Sequence, residues 1–566
     1  MQRRLVPSQQ RQAAIAKSDR PSMRSRWRSW LAAQGCLLGL TVALIGGTIA
    51  PSLAAERVKV RLGPFEQAVE VSDLERFAKT GKIPDELKAY SMVLTPDVRK
   101  MMSKSFDLDP QMVDDFLENL QDSSSGNQFL QGLLAALPEQ NIDQLKGAIA
   151  LASYYTGGLN FLNILRALPG DEIVIDASAL SKLLLQFNSP FWESQAFTPL
   201  LAKELADPTA KPLQTNFDPA ATGPETVQRQ TLRLRDSKRD RAIPVDVYWS
   251  EKPQGPLVVV SHGLGANRQF LAYLGNHLAS HGLTVAALEH PGSNSDALVG
   301  TSLSNNPGNV LPAEEFLHRP RDISFLLDRF SQLNQEPGSL QGKLNTEQVT
   351  VIGHSLGGYT ALALAGAKLD PKTIKQTCDR NDVLTFSPAN WLQCAAADLP
   401  RSVPNLRDER VAQVVALNPV VGHLFGKRGL QQVAVPVLVL AGTEDSLTPA
   451  LQHQLQPFAQ LKQPKYLVSA IGGTHLSVAD PTKFTPAYIK TLASKERFGE
   501  AASSLRHLLQ GTTLAFTKQL TPEAKTYQPF LTAAYAQSLS TTQLPLRMNR
   551  ELPASIATWV TLKQLL

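Results

Sequence analysis

The chain has 566 residues, 43% of them hydrophobic and 19% charged, with a formal net charge of +6. That balance excludes wholesale disorder and a protein of many membrane spans, and at roughly 150 residues per domain it allows two large domains or three to four smaller ones. The positive charge is local: residues 1–54 hold eight Arg and Lys against the single acid Asp19, so the remainder is close to neutral and carries no electrostatic footprint for nucleic acid.

Residues 31–55 carry no charge, follow Arg24, Arg26 and Arg28, and close on the small residues Ser52 and Ala54. This is the layout of a secretory signal peptide. The uncharged run of 25 residues also suits an uncleaved membrane anchor, although Gly35, Gly39, Gly46, Gly47 and Pro51 weaken it as a permanent helix. Either reading places the body outside the cytoplasm, periplasmic or extracellular. Beyond this segment only Cys378 and Cys394 remain, and an exported pair is expected to be oxidised. The alternative is two unrelated buried thiols. No Cys or His pair has zinc spacing and there is no H-E-x-x-H, so neither metal nor cofactor is expected.

Residues 55–200 read as a small all-α domain of unassigned role. Ser72 and Glu75 suggest a capping box, Leu74, Phe77 and Ala78 share a face, and Gly81 ends the helix. Thr95-Pro96 and Asp109-Pro110 look like caps followed by first-turn prolines. No titratable cluster stands out among these stripes, which are expected to form a helical core. Residues 201–225, rich in Pro, Thr and Ala, have the composition of a linker.

From residue 226 to 566 the periodicity changes. Strands are expected at 231–235, 243–249, 257–260, 284–288, 348–352, 411–417, 435–441 and 466–469, alternating with helices near 268–281, 315–330 and 356–367 and followed by a C-terminal helical extension. That alternation predicts a mostly parallel sheet covered by helices on both faces, with ligands beyond the carboxyl ends of the strands. Gly263 and Gly265 followed by Glu289 imitate a dinucleotide fingerprint. Arg268 occupies the third glycine position, however, and removes the close helix–strand packing a pyrophosphate needs.

G-H-S-L-G at residues 353–357 lies between an expected strand and an expected helix, the setting of a nucleophile elbow with Ser355 at its tip. Asp445 follows one later strand in A-G-T-E-D-S-L-T-P, and His475 follows the next in G-G-T-H. The order Ser355, Asp445, His475 is the order of an α/β-hydrolase triad. Glu444 is the rival acid and Asp480 a remote one. Of the other histidines, His354 and His262 flank the elbow and an upstream turn, and His453 and His507 fall on expected helices.

S-H-G-L-G-A-N-R at 261–268, L-A-S-H-G-L-T-V-A-A-L-E-H at 278–290 and the elbow together resemble the plasma-type platelet-activating-factor acetylhydrolases. The front domain and the tail are similar to a bacterial group in which an uncharacterised helical domain precedes such a hydrolase. The resemblance implies the α/β-hydrolase fold, a secreted serine esterase acting on short-acyl or oxidised phospholipids, and an oxyanion hole made by the Leu264 and Leu356 amides. One position departs: the family's acid follows the strand at 411–417, where this chain has Asn418. The acid role then passes to Asp445 and Asn418 is left without one.

The expectation is therefore an exported serine esterase with a small amphiphilic ester as substrate, an association with a membrane surface, and no nucleic-acid partner. Two alternatives stand beside it: a generalist carboxylesterase or peptidase of the same fold, and a catalytically silent exported binding protein.

Overall fold

The computed structural model describes residues 55–565 apart from 63–64, 92–93, 95, 104, 106–112, 123, 156–157, 186–187, 299–310, 380–386, 463 and 484–495. The expected leader or anchor, Thr95 of the first expected cap and the Asp109-Pro110 cap lie outside the described residues. Among the described residues, no helix is long and apolar enough to cross a membrane.

The front segment begins with strands β1 (Arg57–Leu62) and β2 (Phe65–Glu70), then helices α1 (Val71–Thr80), α2 (Pro96–Ser103), α3 (Val113–Asp122), α4 (Ser124–Ala136), α5 (Ile142–Ser153) and α6 (Phe161–Ala167). Strand β3 (Glu172–Asp176), α7 (Ala177–Leu185) and α8 (Ser189–Glu204) complete it. It is mostly helical, but not all-α: β2, β1 and β3 form a three-stranded sheet, antiparallel on one side of β1 and parallel on the other. The helix expected from a Ser72 cap has its N-cap two residues earlier, at Glu70, and Val71 N–H bonds the Glu56 carbonyl at 2.9 Å. Its Glu70 cap makes no side-chain bond, so Ser72 and Glu75 are not a capping box. Gly81 ends the helix in the left-handed region at φ 75°, as expected of a glycine there. The capping box is instead at α5, where Asn141 and Gln144 bond each other's backbone amides at 2.9 Å.

The larger body is a nine-stranded sheet. Its strands are β4 (Gln228–Asp236), β5 (Arg241–Trp249), β6 (Leu257–Ser261), β7 (Thr284–Leu288), β8 (Val349–His354), β9 (Val411–Leu417), β10 (Val437–Gly442), β11 (Lys465–Ala470) and β12 (Leu546–Asn549). They lie in the order β12-β11-β10-β9-β8-β6-β7-β5-β4. The pairs from β7 to β11 are parallel, while β4, β5 and β12 supply antiparallel edges. Leu257, Val258, Val259 and Val260 are all buried, since both faces of β6 are covered. Leu257 and Val259 face one core with α10 (Glu315–Leu333) and α11 (Leu356–Leu364). Val258 and Val260 face the other, with α9 (Ala272–Ser280) and α14 (Ser503–Thr517). Helices α12 (Pro371–Cys378) and α13 (Pro388–Cys394), joined by a Cys378–Cys394 disulfide, lie between β8 and β9 in the chain, and α15 (Ala554–Leu565) closes it.

Residues 205–227 carry neither helix nor strand, yet they are tied to the body. Asp207 N–H donates to Gln537 at 2.7 Å, and Glu225 N–H donates to the Ser280 carbonyl at 3.0 Å. Residues 54–566 form one compact unit.

Candidate active site

Strand β8 runs straight into α11, and Ser355 is the single residue between them. Its φ of 55° and ψ of −118° lie outside the regions an L-residue prefers, a strain of roughly 1–3 kcal/mol. The turn is held by Ser355 N–H donating to the Leu417 carbonyl at 2.9 Å and by Val420 N–H donating to the Ser355 carbonyl at 3.0 Å. Only glycine fits on either side: a Cβ on Gly353 would overlap the Gly357 carbonyl, and one on Gly357 would overlap the Ser261 carbonyl.

Loops after β10 and β11, two and three places along the sheet from β8, bring an acid and a base together. Asp445, beyond β10, accepts at Oδ2 from His475 Nδ1, beyond β11, at 2.7 Å. Because Nδ1–H donates its hydrogen bond to the carboxylate, neutral His475 carries an acceptor at Nε2. The carboxylate is fully buried and held by four other donors. Leu447 N–H at 2.9 Å and Thr448 N–H at 2.7 Å meet Oδ1; Asn418 Nδ2 at 2.6 Å and Thr448 Oγ1 at 2.7 Å meet Oδ2. Burial alone would push Asp445 up, but the His475 charge and bond, with the Thr448 bonds, hold it below the usual carboxylate range. Burial likewise opposes charge on His475, and the adjacent Asp445 outweighs it and raises the imidazole above its ordinary value. His354 joins elbow and base: its Nε2 bonds the His475 carbonyl at 3.0 Å, and the two rings lie 4.6 Å apart.

The turn carrying Leu264 abuts the elbow. A Cβ on Gly263 would lie 3.0 Å from the Ser355 Cβ, and Gly265 N–H fixes the turn by donating to the Ser293 carbonyl at 2.9 Å. Leu356 is the first residue of α11, and its amide has no carbonyl one turn earlier to bond. Sequence reasoning missed what lies beneath. Arg319 on α10, fully buried, donates to the His262 carbonyl, to Ser293 Oγ at 2.6 Å and to Ser261 Oγ at 3.3 Å. His262 accepts at Nε2 from His290 N–H at 3.0 Å and so donates from Nδ1 to the Gly263 carbonyl at 2.6 Å. Burial keeps His262 and His290 neutral and lowers Arg319 to about 10.

Within this layer Ser261, His290 and Asp322 form a second serine–histidine–aspartate array, with bonds of 2.9 and 3.0 Å. It has no open face. All three side chains are fully buried, Ser261 is the last residue of β6 with no positive φ, and Asp322 is paired with Arg239 and Arg241 at 2.8 Å. Ser355 differs by lying between strand and helix on a strained turn with φ 55°.

The rival acids are elsewhere. Glu444 makes no bond to His475 and is pushed up to about 6 by burial. Asp480 caps its own turn through Thr482 at 2.9 Å. His453 lies in the helical turn Leu451–Leu455, where its Nδ1 accepts from Val421 N–H at 3.2 Å, and His507 lies on α14 facing Asp218 at 3.0 Å. Among the described residues no group of three or more His, Cys, Asp or Glu side chains is arranged to hold a metal ion. Missed as well were the Asn418 bond to Asp445, Thr448, and Glu496, whose Oε2 accepts from Leu476 N–H at 2.9 Å and whose carboxyl is pushed up by burial beside His475.

Residues 54–176 match the family model described as alpha/beta hydrolase of unknown function (DUF1400), and residues 240–318 match that of platelet-activating factor acetylhydrolase, isoform II. The fold is that of an α/β-hydrolase. The platelet-activating factor acetylhydrolase of Cavia porcellus is 33% identical over 135 residues, which is 19% of this chain and 31% of that protein. The platelet-activating factor acetylhydrolase of Canis lupus familiaris is 29% identical over 137 residues, again 19% of this chain and 31% of that protein. The chain thus spans 31% of the length of these curated relatives. Within the hydrolase fold, the 240–318 match runs from β5 into α10 and contains the Leu264 turn and His290. It stops before Ser355, Asp445 and His475.

Proposed function

We propose that this chain is an exported serine hydrolase that cleaves the carboxylic ester of an amphiphilic lipid with a short or polar acyl chain. The observation that carries the reading is the Asp445–His475 bond of 2.7 Å, tied through His354 to the strained elbow that holds Ser355. In the proposed cycle His475 Nε2 takes the Ser355 proton as Oγ attacks the ester carbonyl. The Leu264 and Leu356 amides receive the developing oxyanion, and the imidazolium then gives its proton to the departing alcohol. Water, deprotonated by the same imidazole, releases the acyl group as a carboxylic acid and restores Ser355. Asp445 holds the tautomer and the charged form throughout.

The lipid substrate is supported by the likeness over 240–318 to acetylhydrolases, and export by the basic, uncharged and small-residue order of residues 24–54 together with the disulfide. Each CH₂ buried in an acyl pocket is worth about 0.8 kcal/mol, roughly fourfold in kcat/KM, until the pocket is full. A series of 4-nitrophenyl esters from acetate to palmitate should therefore peak at a few carbons, and short-acyl phosphatidylcholine should exceed long-acyl. A maximum at long chains, or activity on soluble esters with none on phospholipid, would refute the substrate and leave a generalist carboxylesterase.

A further inference from the structure

Helix α8 belongs to the front segment, but its polar side chains reach the loop that carries Asp445. Asn188, its N-cap, accepts from Phe191 N–H at 3.1 Å and donates from Nδ2 to the Ser446 carbonyl at 2.6 Å. Gln195, seven residues on and therefore on the same face, donates to the Thr443 carbonyl. Ser194 Oγ accepts from Leu451 N–H at 3.1 Å. Ser194 and Gln195 are fully buried. The anchored backbone groups bracket the acid: Thr443 lies two residues before Asp445, Ser446 one after, and Leu451 closes the loop at the next helical turn.

We propose that α8 is a splint for the acid loop, and that Asn188, Ser194 and Gln195 are positioning residues that keep Asp445 on His475. The inference rests on the catalytic reading above. The front segment then has a role in the reaction without touching substrate: it sets where the loop of β10 sits. Its own seat does not depend on these bonds, because Phe197, Leu201 and Leu205 share a core with Val437, Val439 and Leu451, and Phe197 packs on Trp559 of α15. The helix can thus stay docked when a polar tie is cut, while the loop is released. A misplacement of about 1 Å at a catalytic group costs on the order of a hundredfold in rate.

Two variants cut single ties. Gln195→Met keeps the length and removes the donor. Asn188→Ser keeps an N-cap oxygen but is too short for the Ser446 carbonyl. Phe197→Leu is the control, since it weakens docking and leaves the ties. With 4-nitrophenyl acetate, each tie variant should lower kcat about tenfold and the pair about a hundredfold, with KM within about twofold. The acid limb of the kcat/KM profile should also move to lower pH. Among the groups facing His475, Asp445 and Glu496 favour its charge, and the neutral rings His354 and His453 lie beside it. A displaced Asp445 therefore leaves an imidazole that protonates less readily. Phe197→Leu should lower Tm and leave kcat and the limb in place. If the tie variants match Phe197→Leu while Asp445→Asn is inactive, the splint is wrong and the catalytic reading survives. If Asp445→Asn is active, both fall.

Discussion

Asn418 directly follows β9, and the structure gives it a task. At the end of β9 it is fully buried with φ 43°, and its amide donates to Asp445 Oδ2 at 2.6 Å. A hydrogen bond to a charged group is worth about 1.5–3 kcal/mol. Asn418→Gly should forfeit that bond and keep the backbone conformation. Asn418→Ala should forfeit it and add about 1 kcal/mol, because alanine tolerates the left-handed region less well than asparagine. The loss of stability is thus about 1.5–3 kcal/mol for glycine and about 1 kcal/mol more for alanine. Freed of one of its five donors, Asp445 should orient His475 less well, and kcat should fall about tenfold, the equivalent of 1.4 kcal/mol. Urea unfolding gives the first quantity and turnover of 4-nitrophenyl acetate the second. Wild-type stability and kcat in Asn418→Ala would refute the reasoning, and an alanine variant no less stable than the glycine one would refute its backbone part.

Asp445→Asn should cost about 10⁴ in kcat by favouring the wrong imidazole tautomer. Glu444→Gln should cost little, because that carboxyl makes no bond to His475; the reverse pattern in steady-state kinetics would misplace the acid by one residue. Protein purified from an oxidising compartment should gain two hydrogens in intact mass on reduction and lose about 3 kcal/mol of stability as the loop between Cys378 and Cys394 opens. Two free thiols before reduction would count against it.

Much of the sheet was legible because buried parallel strands read as short apolar runs ended by turn residues: 284–288 and 411–417 coincide with β7 and β9 to the residue. Strand β12 was not legible, since four residues with Arg547 and Asn549 among them carry too little pattern. In the front segment, Arg57, Lys59 and Arg61 alternate along β1 and hid a strand that pairs on both sides. The elbow and the two loop-borne partners could be placed from chain order, since each follows a strand end. The layer under the Leu264 turn could not. Glu315, Arg319 and Asp322 lie at i, i+4 and i+7 on α10, a face that reads as solvated charge but turns inward to Arg241, Ser293 and His290. Their helical spacing was the available signal; the partners lie on β5, β6 and the loop after β7, distant in sequence. The ties from α8 were hidden in the same way, between residues more than 240 apart.

The central claim is that Ser355 is the activated nucleophile. Intact protein treated with a fluorophosphonate, digested and read by peptide mass should carry the adduct on Ser355. The Ser355→Ala variant should remain unlabelled, retain its fold and lose on the order of 10⁴ to 10⁶ in esterase kcat. An adduct on Ser261 or elsewhere, or near-wild-type turnover in Ser355→Ala, would contradict the account.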